Sequence, residues 1–119
     1  MAEQRNSHIS IREERGIKIV EFADRKILEE LSITEIGDEL AVMIAGNKGI
    51  KLLVSFKDVE HLSSAALGML IKLNMQVSEA DGQLKLSNIT PQIYEVFKIT
   101  RLNKHFDIYD KAEGALAAF

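Results

Sequence analysis

Two adjacent serines, Ser63 and Ser64, are the residues of this chain best placed to take part in chemistry. They follow a short loop after the apolar run at residues 50–56, and they open an amphipathic segment that reaches Ala80. Backbone N–H groups and the helix dipole favour negative charge at a helix N-terminus. A phosphate on either hydroxyl would bring about −2 charge to a position that tolerates it. The pair therefore predicts a phosphorylation site, although serine is also a good helix N-cap in its own right.

A Ser-His dyad is the catalytic alternative, because His61 lies close to the serine pair. Nucleophilic catalysis needs an activating base, an orienting group and an oxyanion hole. The Gly-x-Ser-x-Gly turn that presents a nucleophilic serine is absent, since Leu62 and Ala65 flank the pair. The sequence predicts no catalytic residue, and we do not expect the chain to be an enzyme.

Metal and cofactor sites are not predicted. The histidines His8, His61 and His105 are far apart and form no metal-ligand spacing, and the absence of cysteine excludes thiolate sites and disulfides. Residues 46–49 place a lysine between glycines, but they follow a predicted helix and precede a predicted strand, whereas a phosphate-binding loop needs the reverse order.

The composition fits one globular domain: 119 residues, 46% hydrophobic and 28% charged. A net charge of -3 with scattered cations argues against direct binding to nucleic acid. No apolar run approaches the ~20 residues of a membrane span. The polar residues 1–7 have no signal-peptide core and are expected to form a flexible tail. We therefore expect a soluble, cytoplasmic protein without membrane insertion.

Strands and helices are predicted in alternation along the chain. The predicted strands are 8–15, 16–22, 50–56, 83–87 and 105–109. The predicted helix starts are a capping box at Ser32 and Glu35, the serine pair, Thr90 before Pro91, and a second capping box at Asp110 and Glu113 that opens a helix to Ala118. This order indicates an α/β domain with a four- to five-stranded mixed sheet and helices mainly on one face.

The run from strand 50–56 through residues 63–68 (Ser-Ser-Ala-Ala-Leu-Gly) resembles the STAS domain of anti-sigma factor antagonists. In that family a central strand leads to an Asp-Ser-Ser/Thr-Gly-Leu-Gly motif at a helix start, and a partner kinase phosphorylates the serine after the aspartate. Aligning the final Leu-Gly puts Ser64 at the phosphorylated position, Ser63 on the aspartate and Ala66 on the glycine. Residues 23–24, 88–102 and 105–119 also resemble family segments, so the resemblance implies one STAS domain over residues 1–119.

The resemblance implies a regulatory protein that binds an anti-sigma factor and is switched by phosphorylation at Ser64, with Ser63 as the second choice. The partner would itself be a serine kinase of the GHKL type, and ATP would belong to it. The implied partner-binding surface consists of Asp24, His61, Ser63, Ser64, Ala65, Leu67 and Gly68.

Three alternatives stay open. The domain could be a STAS interaction module that is never phosphorylated, in a signalling assembly or a lipid-transport complex, because the family's aspartate and glycine are replaced by Ser63 and Ala66. It could bind a nucleotide near Asp24 and Ser64. It could also form a weak homodimer through an edge strand.

Overall fold

The computed structural model describes residues 8–119, so the expected tail at residues 1–7 lies outside the described residues. The strands of the main sheet are β1 (Ile9–Glu14), β2 (Ile17–Phe22), β4 (Lys51–Ser55), β6 (Gln83–Ser87) and β7 (Asp107–Tyr109), in the order β1-β2-β4-β6-β7. β1 is antiparallel to β2, and the other neighbours are parallel. Two short strands, β3 (Lys26–Ile27) and β5 (His61–Leu62), form a separate parallel pair.

Three helices connect parallel strands, and a fourth follows the last strand. They are α1 (Glu30–Ala45), α2 (Ser64–Glu79), α3 (Pro91–Ile99) and α4 (Ala112–Ala117), with a 3₁₀ turn at Leu102–Lys104. Because α1 and α2 both return the chain between parallel neighbours, they run in the same direction and begin at the same edge of the sheet. The predicted α/β class with a mixed sheet of four to five strands is confirmed, and the main sheet has five.

Alternating strand residues build two apolar clusters, one on each face of the sheet. On the first face, fully buried residues such as Val20 and Leu52 share a core with α1, α2 and α3. On the second face, Ile19 and Leu53 pack with Ala115 of α4. The helices therefore lie mainly on one face, as predicted, and α4 covers part of the other.

Two predicted capping boxes are wrong. Glu29 is the N-cap of α1, so Ser32 lies inside the first turn, where its Oγ donates to Glu29 Oε1 at 2.9 Å. Lys111 precedes α4 without a side-chain cap, and Asp110 does not cap the helix. In α1 the acidic first turn suits the helix dipole, which allows the helix to start earlier than the serine pattern indicates.

The last strand is shorter than predicted and does not include His105. Arg101 adopts a left-handed conformation with φ of 63°, and the 3₁₀ turn follows it. Because the chain is still turning at residues 102–105, the strand begins only at Asp107 and pairs with β6 over Asp107–Tyr109.

Candidate functional site

Ser63 closes the N-terminus of α2. Its backbone is extended, with φ of −85° and ψ of 169°, and its Oγ accepts a hydrogen bond from the Ala66 N–H at 3.2 Å. The Ser63 N–H donates to the Ile27 carbonyl at 3.0 Å. Both the side chain and the backbone of Ser63 are therefore engaged in holding the helix start, which is the ordinary task of an N-cap.

Ser64 is the first residue of α2, and its side chain is exposed. Across residues 8–119, no hydrogen bond engages the Ser64 hydroxyl. The hydroxyl lies in the first turn, where backbone N–H groups lack helical acceptors and the dipole is positive. The two serines thus differ in kind: one is a cap, and the other is accessible.

The loop that leads to the serines is anchored in the core by Val59, which is completely buried. Asp58 takes a left-handed φ of 68°, and the Val59 N–H donates to the Phe56 carbonyl at 2.9 Å. The Lys57 N–H donates to Ser55 Oγ at 3.3 Å. Val59 is not among the residues predicted from the sequence, although a lone apolar residue in a polar loop is a signal of such an anchor.

The short β3–β5 pair joins this loop to the segment that follows β2. The Glu60 and His61 N–H groups both donate to the Arg25 carbonyl, at 2.7 and 3.1 Å. The Arg25 guanidinium lies 3.8 Å from the Glu60 carboxylate, and His61 is exposed opposite Lys26. The pair therefore fixes the position of the helix start relative to the second strand of the sheet.

The predicted partner-binding residues differ in their exposure and contacts. Asp24 lies just before this pair, but its Oδ2 accepts a hydrogen bond from His8 Nδ1 at 2.7 Å. Leu67 is a core residue with 9% exposure, and its role in binding a partner stays a prediction. Ala65 is half-buried beside Ser64. Gly68 is exposed, and a Cβ added there would meet no heavy atom within 4 Å.

An exposed ridge on α2 extends from the accessible serine. Ser64, Gly68, Ile71 and Met75 follow one another at helical spacing, so they lie along one side of α2, and all are exposed. Ile71 is 41% exposed and Met75 is 58% exposed, although both are large and apolar. Neither residue is among those predicted from the sequence, although both fall outside the apolar stripe of the predicted helix, which is a signal of exposure.

Within the described part of the chain, no hydrogen bond joins His61 to Ser63 or Ser64. The same residues contain no group of three or more His, Asp or Glu side chains placed to hold a metal ion. None of the helices described at residues 8–119 has the length and apolar character needed to cross a membrane.

The fold and the site define a small α/β domain in which a central parallel strand leads through an anchored loop to a serine-capped helix. The family model of the STAS domain matches residues 8–115. The chain therefore belongs to the STAS domain family.

Several similar proteins are named as anti-sigma factor antagonists. An anti-sigma-B factor antagonist of Bacillus subtilis is 33% identical over 69 residues, which cover 58% of this chain and 63% of that protein. The match thus spans less than two thirds of the relative.

Two solved structures share the fold: an anti-sigma-factor antagonist (STAS) domain protein of Planctomyces limnophilus and an anti-sigma factor antagonist of Mycobacterium paratuberculosis. The first has a TM-score of 0.84 at 20% identity and covers 92% of this chain and 96% of that one. The second has a TM-score of 0.80 at 18% identity and covers 98% and 97%.

Proposed function

We propose that this STAS domain is a cytoplasmic anti-sigma factor antagonist that is switched by phosphorylation on Ser64. Its partner is an anti-sigma factor that is also a serine kinase of the GHKL type. The unphosphorylated domain binds this partner and thereby frees a sigma factor. The domain itself catalyses nothing, and the partner supplies ATP. Membership of the STAS family and the similarity to the Bacillus subtilis antagonist support this role.

The observation that carries the proposal is that the two serines have different roles: Ser63 caps α2, and the hydroxyl of Ser64 is accessible for a kinase to modify. Ser63 accepts the capping hydrogen bond from Ala66, while the exposed Ser64 hydroxyl has no hydrogen bond within residues 8–119. A kinase can therefore phosphorylate the Ser64 hydroxyl without breaking the hydrogen bond that caps α2. Modification of Ser63 would instead remove a hydrogen bond that holds the helix start.

The replacement of the family's aspartate by Ser63 is compatible with this switch. Aspartate and serine are both good N-caps, because either side chain can accept a hydrogen bond from the first turn. Ser63 performs this task without a charge, so no carboxylate stands next to the phosphate on Ser64. The replacement of the family's glycine is also accommodated, since Ala66 is completely buried within the core cluster.

A phosphate on Ser64 weakens binding through bulk and hydration. The exposed Gly68 lies one turn further along α2 and permits close approach of a partner to the helix backbone. A partner packed on Ser64 and Gly68 would have to remove water from a dianion, which is unfavourable unless a cation compensates it. The helix N-terminus stabilises the same phosphate in the free domain.

Phosphorylation by the serine-kinase anti-sigma factor of the same genome tests the proposal. We expect one phosphate per chain by intact mass, located on Ser64 by peptide fragmentation. The Ser64→Ala variant should take up none, and the matched Ser63→Ala variant should still take up one. Phosphate that persists in the Ser63→Ala/Ser64→Ala double variant would refute the assignment.

A further inference from the structure

A shallow groove of about 310 Å³ separates α1 from α2 next to the accessible serine. Its floor is built from small residues of both helices, with Gly37 and Ala41 on α1 and Ala65 and Gly68 on α2. A Cβ added at Gly37 would lie 3.2 Å from Met69 Cγ, which shows how closely the helices approach there. The groove is therefore open to solvent above a tightly packed helix pair.

Each helix also presents an exposed ridge that shares one residue with the groove lining, Asp38 on α1 and Gly68 on α2. On α1 the ridge consists of Leu31, Glu35, Asp38 and Val42, and on α2 it consists of Ser64, Gly68, Ile71 and Met75. Leu31 is 68% exposed and Val42 is 74% exposed. Together with Ile71 and Met75, they are four of the seven large apolar side chains that are exposed among the described residues. We call the groove and its two ridges the two-helix face.

The α1 side of this face is strongly acidic. The helix contains Glu30, Glu35, Asp38 and Glu39 and no basic residue. Across residues 8–119, none of these carboxylates forms an ion pair, whereas β1, β2, β6, β7 and α3 each pair at least one of their charges. The helices α2 and α4 likewise form no ion pair within these residues. Among the residues that line the groove, Lys72 of α2 is the one basic residue.

Resting on the proposed function, we propose that the two-helix face docks a basic amphipathic helix of the anti-sigma factor. A groove between two parallel helices suits a third helix, whose apolar residues would cover Leu31, Val42 and Met75. Lysines or arginines beside those residues would face the unpaired carboxylates of α1. A second copy of this chain is disfavoured as the occupant, because it would bring two acidic α1 helices together.

This arrangement is compatible with a phosphate that weakens binding. The carboxylates lie on α1, whereas Ser64 lies at the N-terminal end of α2. The partner's cations would face α1, and the phosphate would enter the close contact beside Gly68. We therefore expect α1 charges to govern the association rate and Ser64 modification to govern the dissociation rate.

Two synthetic peptides of 16 residues, the length of α1, test the inference on the whole domain. One is an amphipathic helix with leucine on one side and lysine on the other, and its control replaces every lysine by glutamate. In NMR titrations we expect the lysine peptide to shift the amide signals of Gly37, Ala41 and Gly68. We expect its dissociation constant to rise about tenfold in the Glu35→Lys/Asp38→Lys variant.

The matched control is Glu113→Lys, which reverses an exposed charge on α4, away from the two-helix face. It should leave the affinity for the lysine peptide within about twofold of the parent protein. Equal binding of both peptides, shifts outside the two-helix face, or concentration-dependent dimerisation through this face would overturn the inference. These outcomes leave the phosphorylation experiment untouched, so failure of a basic partner helix is distinguishable from failure of Ser64 as the phosphate acceptor.

Discussion

The starts of α1 and α2 lie at the same edge of the sheet, and each contains a serine in its first turn. Ser32 of α1 donates to Glu29 Oε1 and lies 3.2 Å from His8 Nε2. Ser64 of α2 has no such partner within residues 8–119, because the residue before it performs the capping. The Ser32 hydroxyl is therefore engaged by its neighbours and half-buried, whereas the Ser64 hydroxyl is exposed.

The difference between the two starts comes from the segments that lead to them. Before α1, His8 bridges Asp24 and Ser32, so the entering chain is connected through side chains. Before α2, the β3–β5 pair and the buried Val59 hold the chain through backbone hydrogen bonds and apolar contact. The second arrangement fixes the helix start and leaves the Ser64 side chain unused.

The largest effect on partner affinity should come from a carboxylate at Ser64, and the matched comparison is a carboxylate at Ser63. Ser64→Asp should weaken binding of the anti-sigma factor by about tenfold or more, because an unpaired charge would be desolvated in the contact. Ser63→Asp adds the same charge one residue earlier, where it can still accept the capping hydrogen bond, so binding should change much less. Isothermal titration calorimetry measures both affinities, and equal losses of affinity in the two variants would contradict the separate roles of Ser63 and Ser64.

The capping role should appear directly in stability. Ser63→Ala should lower the free energy of unfolding by about 1 kcal/mol, since the Ala66 N–H loses its acceptor. Thr90→Ala is a matched variant, because Thr90 Oγ1 accepts from the Ile93 N–H in the same way at α3. Ser64→Ala should change stability very little. Urea unfolding followed by circular dichroism provides the comparison, and a cost at Ser64 equal to that at Ser63 would be inconsistent with it.

Two glycines sharpen the contrast between the contact surface and the packed helix pair. Gly68→Ala should raise the free energy of unfolding by up to about 1 kcal/mol, because the added methyl group meets nothing and alanine favours helix. Gly37→Ala should gain less, since its methyl group presses on Met69. Despite its stability, Gly68→Ala should bind the anti-sigma factor more weakly. Unchanged affinity would show that Gly68 lies outside the contact.

The smallest effect is expected at the start of α1. Ser32→Ala removes contacts to His8 and Glu29 that are only partly shielded from water, so it should cost about 0.5 kcal/mol of unfolding free energy. It should leave phosphate uptake from the kinase unchanged. Thermal unfolding and intact mass test these statements, and a loss of phosphate uptake would show that the two helix starts are coupled.

The sequence indicated the central strand, the serine-led helix and the alternation of strands and helices along the chain, because these depend on hydrophobic spacing and local turn chemistry. It did not indicate β3 and β5, since two-residue strands carry no periodic signal and form only when the chain is folded. It also placed caps at Ser32 and Asp110, where other residues start the helices. Choosing between Ser63 and Ser64 on chemical grounds required the hydrogen bond to Ala66, which the residue order alone does not reveal.

The central claim is that phosphate on Ser64 changes the affinity of the domain for its anti-sigma factor. The most direct test is calorimetric titration of that partner with two preparations of the wild-type domain, one unphosphorylated and one fully phosphorylated on Ser64. We predict tight binding of the first and binding at least about tenfold weaker for the second, a difference of about 1.4 kcal/mol. Equal affinity of the two preparations would contradict the account.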